Sequence, residues 1–340
     1  MATSLKTGFW QWIKDALVDA RLWLGDRLRR LSAGTWRKIV LAVGVVIALY
    51  YPVGMIAVHK VDDDPDFAPA GPMLASNLAE GASLSVAMVA ALIDREVDGH
   101  GWVANDPFFY PSAALDNMPN YQLGMVSALS RFTFELRDQI GRTRGSSASD
   151  PDLEQAAGNL AKEGDRWVFN LSTSVLPTTP SESYFREARQ QLLDYNDRLA
   201  RGDAVFERRS DNLLATLDRI ALDVGASSAA LETHIDARSG AWLDFQADDL
   251  FYRIKGGAYG YYMILKALRT DFANVIEDRD LVRVYDLMLA SFAQVVALDP
   301  WVIANSEPDG QLFPNHLAAQ GFYLLRARTQ LRELTNILLK

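Results

Sequence analysis

Apolar positions follow three successive regimes along this chain, and each predicts its own kind of element. In the first segment Trp10, Ile13, Leu17, Leu24, Leu28 and Leu31 lie three, four or seven residues apart, an apolar stripe on one face of a basic helix. From Ile39 to Val58 the periodicity disappears, because the 20 residues IVLAVGVVIALYYPVGMIAV contain no charge. At about 1.5 Å per residue they reach about 30 Å, the thickness of a bilayer's hydrocarbon core. Helical periodicity returns after about residue 73 and continues to the C-terminus. No segment shows sustained alternation of β-branched residues, so the large C-terminal part is predicted to be all-α.

This pattern divides the chain into a basic amphipathic helix (1–38), a transmembrane helix (39–58), a stalk (59–72) and a multi-helix domain (73–340). Trp36, Arg37 and Lys38 suit one membrane interface, and Tyr50 and Tyr51 lie towards the other. Pro52 falls near the exit end, where a kink is tolerable. Trp10, Trp12 and Trp23 suit the first helix to a headgroup boundary. The stalk HKVDDDPDFAPAGP reads as a solvated, extended spacer; it lacks the glycine of a calcium loop. Gly44 and Gly54 are too far apart to make a GxxxG face.

Helices are predicted over PMLASNLAEGASLSVAMVAALIDREV, softened at Gly81, and over YQLGMVSALSRFTFELRDQIGR. A flexible loop, RGSSASDPD, precedes a helix from Asp152 to about Asn170. A long polar helix capped by Ser181 or Ser183 runs through Leu199, and another, capped by Asp203, runs through Leu222. A short helix and turn follow, and then three C-terminal helices. The run KGGAYG (Lys255–Gly260) has no strand before it, so its glycines point to close helix packing rather than a phosphate loop. A weak internal repeat pairs PNYQLGMVSALSRFTFELRDQ from Pro119 with PNHLAAQGFYLLRARTQLREL from Pro314, and GWVANDP with PWVIANSEP. A duplication would make the domain a pseudo-two-fold helical repeat and could join the Trp102 and Trp301 loops in one composite cleft.

Charge supplies the orientation. Residues 1–38 carry +5 and the whole chain −9, leaving −14 on residues 39–340. The positive-inside rule places the N-terminus in the cytoplasm and the large acidic part outside. A cleaved signal peptide would need a 38-residue basic segment before its apolar core, far longer than usual. The acidic balance speaks against nucleic acid. With no Cys, disulfides and thiolate chemistry are excluded. His59, His100, His234 and His316 include no pair at i, i+4, and although His100 and His316 could meet Asp106 or Glu307 at a metal, no metal or other cofactor is expected. No GxSxG, P-loop or GxGxxG motif is present.

The densest candidate chemistry is NDPFFYPSAALDNMPNYQLG (105–124), with the acids and aromatics just before it. Glu96, Trp102, Asn105, Asp106, Asp116 and Asn120 are the candidate binding residues. Each also has a structural use: Asp106 before Pro107 is a turn or cap pattern, Asp116 and Asn117 could form an Asx-turn, and Asn120 is placed to cap the next helix. Read functionally, carboxylates beside Trp102, Phe108, Phe109 and Tyr110 would suit a sugar chain, and a glycosidase would need one acid with a raised pKa.

The anchor, HKVDDDPDF beyond it, LIDREV, WVANDPFFYPSAALDNMPNYQLG and the helix bearing RF…ELRD together resemble an uncharacterised proteobacterial envelope family, a conserved domain of unknown function, from about residue 36 onward. That resemblance implies a bacterial inner-membrane protein and carries no catalytic residue with it. The expected role is a non-enzymatic scaffold or accessory subunit of an envelope complex, contacting the lipid bilayer and an envelope protein partner. The alternative is a peptidoglycan-active hydrolase or glycan-binding module using residues 94–120. An enzyme needs Glu96, Asp106 or Asp116 converging in a concave pocket with a raised pKa, whereas a scaffold should show them as satisfied caps and offer an exposed apolar patch instead.

Overall fold

A computed structural model describes residues 32–69, 81–141, 149–169, 176–240, 244–307 and 313–340, together with 18, 19 and 21. Most of the amphipathic helix expected over residues 1–38, residues 142–148 of the expected loop and the 70–80 segment lie outside the described residues. The chain divides into two compact units, Met1–Gly54 and Met55–Lys340. The helix α1 (Ala33–Val58), which lies in the first unit up to Gly54, is long and apolar enough to cross a membrane, with no buried residue. It contains the charge-free stretch and carries Pro52 internally.

The second unit, the body, is all-helical among its described residues, with no strand. Its helices are α2 (Leu84–Asp94), α3 (Asn117–Glu135), α4 (Pro151–Leu160), α5 (Ser181–Arg201), α6 (Ser210–Arg238), α7 (Phe245–Asp271), α8 (Ala273–Asp278), α9 (Val282–Val296) and α10 (His316–Leu338). Single π-helical turns extend α2 over Arg95–Gly99 and α3 over Leu136–Ile140. The α3–α7 pair is the central contact. α2 packs on α7 and α5, and α4 on α5; on the other flank α9 packs on α7 and α10, and α10 on α6.

The KGGAYG glycines lie in this central contact. A Cβ at Gly256 would collide with the carbonyl oxygen of Tyr121, and one at Gly124 with that of Arg253. The two backbones therefore touch where neither helix has a side chain. The flanking rings are large and fully buried, Tyr121 from α3 and Tyr259 from α7, so the seam alternates absent and bulky side chains.

Several boundaries differ from expectation for local reasons. Gly81 takes a left-handed conformation (φ 101°), and α2 begins at Leu84 behind an N-cap at Ser83, whose Oγ accepts from Val86 N. The buried Asp271 carboxylate adds bonds from Leu84 N (2.9 Å) and Ser85 N (2.9 Å), placing negative charge at that N-terminus. α4 ends at Leu160 instead of reaching Asn170, because the chain turns to bring Gly164 and Arg166 against the 102–105 loop. α6 starts at Ser210, not at Asp203, and continues past Leu222 to Arg238, where Ser239 and Gly240 end it. The longer helix buries Val224 and Leu231.

The glycine seam gives the first prediction. Gly256→Ala or Gly124→Ala forces α3 and α7 apart and is expected to cost about 3 kcal/mol or more, at the severe end of overpacking. Gly257→Ala, whose Cβ would meet Gly124 O at 3.4 Å, should cost far less. Thermal unfolding of the three variants checks this order, and equal losses at 256 and 257 would refute it.

Candidate functional site

The corner that follows α2 is held by its own polar residues. Trp102 is buried, donates from Nε1 to Gly164 O (2.8 Å) and packs edge-on against Phe185. Asn105 is buried and donates to Arg166 O (2.9 Å) and Glu182 Oε2 (2.7 Å). Val103 N donates to Gln122 Oε1 (3.0 Å). Asp106 accepts from Ser112 Oγ (2.6 Å), and its carboxyl is raised above the usual range mainly by burial, with Glu182 adding repulsion and Ser112 opposing. Glu96 is fully buried and takes Arg95 (2.9 Å). Asn120 does not cap α3; the helix starts three residues earlier, and Asn120 Nδ2 instead donates to Asp116 O (3.1 Å) and Asp249 Oδ1 (3.0 Å). Glu96, Asp106 and Asp116 thus answer to three different sets of partners.

The same loop turns its rings outward. Phe108 is 86% exposed, and Phe109, Tyr110 and Phe169 are exposed as well. Ring centroids run Phe108–Phe109 5.4 Å, Phe109–Tyr110 5.3 Å, Phe109–Trp167 6.0 Å and Trp167–Phe169 5.4 Å. Two loops, 106–110 and 165–169, thereby form one aromatic lip, held together from beneath by Asn105 and Trp102. Near it, Leu123, Val126, Leu160 and Phe185 floor a cleft of about 360 Å³ edged by Arg131, Lys162, Arg219 and Arg253, with Glu135 the one acid.

The two WV-bearing loops share hydrogen-bonding chemistry. Trp102 is buried against Phe185, whereas Trp301 stands in solvent, so the two indoles do not face one cleft. Yet Asn305 repeats the act of Asn105, donating from Nδ2 to a carboxylate at a helix start, Asp244 (3.0 Å) where Asn105 uses Glu182. Ala304 N donates to His316 Nδ1 (2.9 Å) as Val103 N does to Gln122. Among the described residues no three His, Asp or Glu stand close enough to hold a metal.

The residues sequence reasoning missed are in the acidic segment, which is not a spacer. Asp62 O accepts from Arg95 Nη2 (2.9 Å) and Tyr121 Oη (2.7 Å), and Asp64 O from Tyr259 Oη (2.9 Å). Pro65 O takes Lys266 Nζ. Asp63 pairs at 2.6 Å with Lys255 Nζ, which is fully buried and also donates to Leu298 O (2.7 Å). Val61 and Phe67 pack on the core, with the Arg95 guanidinium 4.7 Å from the Phe67 ring centre. Burial opposes the Arg95 charge, but Glu96, Tyr259, Tyr121 and Asp62 together raise its pKa. The legible signal was Lys255 and Arg95 inside otherwise apolar helical faces, because buried cations demand partners. Replacing Arg95 alone would strand Glu96. Arg95→Met is expected to destabilise the body by about 3–5 kcal/mol. Adding Glu96→Gln should recover part of that loss, a double-mutant cycle read by denaturant unfolding; no recovery would show that the pair is not coupled.

A second acidic group lies where α3 and α7 begin. Burial and the nearby Asp116 push Asp248 up to about 6. Asp249 is also pushed up to about 6, by burial, by a proton shared with Asp116, and by the charges of Asp116 and Asp248. An acid whose pKa rises on folding stabilises the fold only while protonated. That contribution is complete below about pH 4 and is lost as the pH passes 6. Asp248→Asn is therefore expected to raise stability at pH 7.5 by on the order of 1 kcal/mol, discounted for part exposure. Melting curves should show the gap to the parent closing by pH 4.5; a gap independent of pH would contradict the assignment.

No curated protein and no solved structure matches the chain. One family does, over residues 33–240 and 236–340, which takes in α1, the clamped acidic segment and the aromatic lip. The chain belongs to the family described as an uncharacterized protein conserved in bacteria (DUF2333).

Proposed function

We propose that this chain is a single-pass protein of the bacterial inner membrane whose helical body stands in the periplasm as a non-enzymatic docking subunit of an envelope complex. The observation that carries the reading is the division of labour in the 102–112 corner. Its polar groups are occupied within the fold, while Phe108, Phe109 and Tyr110 are turned outward and, with Trp167 and Phe169 of the neighbouring loop, make a lip of five aromatics. Grouped, rigid aromatic rings are the side chains from which protein–protein contacts draw most of their energy. The +5 flank before α1 and the −14 that follows support the orientation. The partner is a protein, because the lip offers grouped aromatic area while the Asp106 and Glu182 carboxylates beneath it are engaged by Ser112 and Asn105.

A second reading is supported by the raised carboxyl of Asp106 beneath the same rings: the lip stacks on glycan. One experiment separates the two. A photo-crosslinking residue, p-benzoylphenylalanine, replaces Phe108 in the full-length protein in native membranes. The docking reading expects a discrete protein adduct that is lost when Phe109→Ala and Trp167→Ala are added and kept with Phe322→Ala, an exposed ring elsewhere. An adduct sensitive to muramidase would support the glycan reading. Absence of any adduct would remove the lip as a docking surface.

A further inference from the structure

Asp244 centres a knot of loop contacts in the body. It caps α7, takes His234 Nε2 at 2.7 Å and accepts from Asn305 Nδ2 at 3.0 Å. Asn315 Nδ2 donates to Asn305 Oδ1 (3.1 Å), and Gly240 N to Asn305 O (2.9 Å). Ala304 and His316 exchange two hydrogen bonds, each 2.9 Å. The 299–305 loop is thus tightly tied, yet its tip is bare: Trp301 is 101% exposed and Val302 77%. Phe245 and Phe313, on segments tied to the same knot, are exposed too. A well-tied loop holding an indole clear of the fold needs an apolar phase to meet it.

The chain itself says which phase lies nearby. The body begins at Met55, and His59, the first residue beyond α1, sets its ring 6.4 Å from that of the buried Tyr252. One turn along α7, Lys255 joins Asp63, five residues past Val58, to the carbonyl of Leu298. Trp301 follows Leu298 by three residues, at most about 11 Å of extended chain. The loop that carries the tip is therefore tied, through one buried lysine, to the segment that directly follows the apolar helix. Headgroups there add about 5–8 Å beyond the hydrocarbon, and Trp is the side chain that prefers this layer.

We propose that the Trp301–Val302 tip inserts into the outer headgroup region of the bilayer crossed by α1, giving the body a second membrane contact; this rests on the single-pass reading above. With the 59–66 segment clamped and the tip immersed, the body is held at two points and cannot swivel about its anchor. The occupant is lipid, because Lys255 ties the loop that carries the tip to Asp63, five residues past the end of the apolar α1.

The chain has no Cys, so single substitutions allow specific labelling. Trp301→Cys, Val302→Cys and Leu49→Cys full-length proteins, labelled with an environment-sensitive fluorophore, are placed in nanodiscs of phosphatidylethanolamine and phosphatidylglycerol. The discs carry lipid nitroxides at shallow or deep acyl positions. The inference expects the 301 and 302 labels to lose emission to the shallow nitroxide and to be spared by aqueous iodide, while the 49 label responds to the deep one. If 49 is quenched but 301 and 302 respond only to iodide, the tip is in water and this inference alone falls. If 301 and 302 escape both quenchers, protein covers them, and the inference is again overturned. If 49 is not quenched by the deep nitroxide, the single-pass reading fails and takes this one with it.

Discussion

The backbone contact between α3 and α7 is the constraint on which the rest of the body depends. Two helices can approach this closely only where the facing positions lack side chains, and here Gly124, Gly256 and Gly260 supply them. The approach brings Tyr121 and Tyr259 side by side, ring centres 6.1 Å apart, with both hydroxyls aimed at the same short stretch of chain. It also brings the starts of the two helices together, which is why Asp116, Asp248 and Asp249 crowd each other and why Asn120 is drawn across to Asp249. A wider seam would remove the acid repulsion, but it would also remove the pair of hydroxyls that the acidic segment needs. The raised pKa of Asp248 and Asp249 is thus a consequence of the same geometry that builds the clamp.

The clamp shows what the buried charge is for. Arg95, Glu96 and Lys255 could be replaced on energetic grounds by apolar residues, since a buried ion pair seldom outperforms good packing. An apolar set, however, would hold the acidic segment in many registers. Here Asp62, Asp64 and Pro65 offer their carbonyls to different donors, and Asp63 is the nearer carboxylate of Lys255, at 2.6 Å against 3.9 Å for Asp299. A slip of one residue would move these carbonyls off their donors and Val61 and Phe67 off the core they pack on. Charge and hydrogen bonding therefore specify the register, and packing of Val61 and Phe67 supplies the affinity.

The sequence was most legible where one physical rule dominates. A charge-free 20-residue stretch and helical periodicity suffice for α1 and the all-helical body, and glycines embedded in helical flanks suffice for a close seam. Lengths were misread where tertiary bonds override local signals. α4 stops early because Trp102 and Asn105 need the Gly164 and Arg166 carbonyls, and α6 runs on because Leu231 is buried. The acidic run was misread because Asp-rich, Pro-bearing sequence is usually solvated, and only the fold reveals that its backbone, more than its carboxylates, makes most of the bonds. In the 105–124 corner the residue types were the same for a site and for a turn; what separates them is direction, with Asn105 and Asp106 bonded within the fold while Phe108 faces out.

The two WV-bearing loops carry this distinction further. Both are tied down by an asparagine that reaches a carboxylate at the start of a helix, and in both a backbone N–H is held by a side chain of the helix that follows. Only the tryptophans differ: Trp102 is turned under Phe185, and Trp301 is turned out. The tie alone therefore does not dictate the exposure of the ring. In the first loop the buried indole helps seat the 164–166 turn that completes the aromatic lip. In the second, no turn among the described residues is packed on the indole, and the same tie presents it to the surroundings. One local design, used twice, thus supplies a supported surface in one place and a rigid apolar tip in the other, and the difference is set by what packs above the tryptophan.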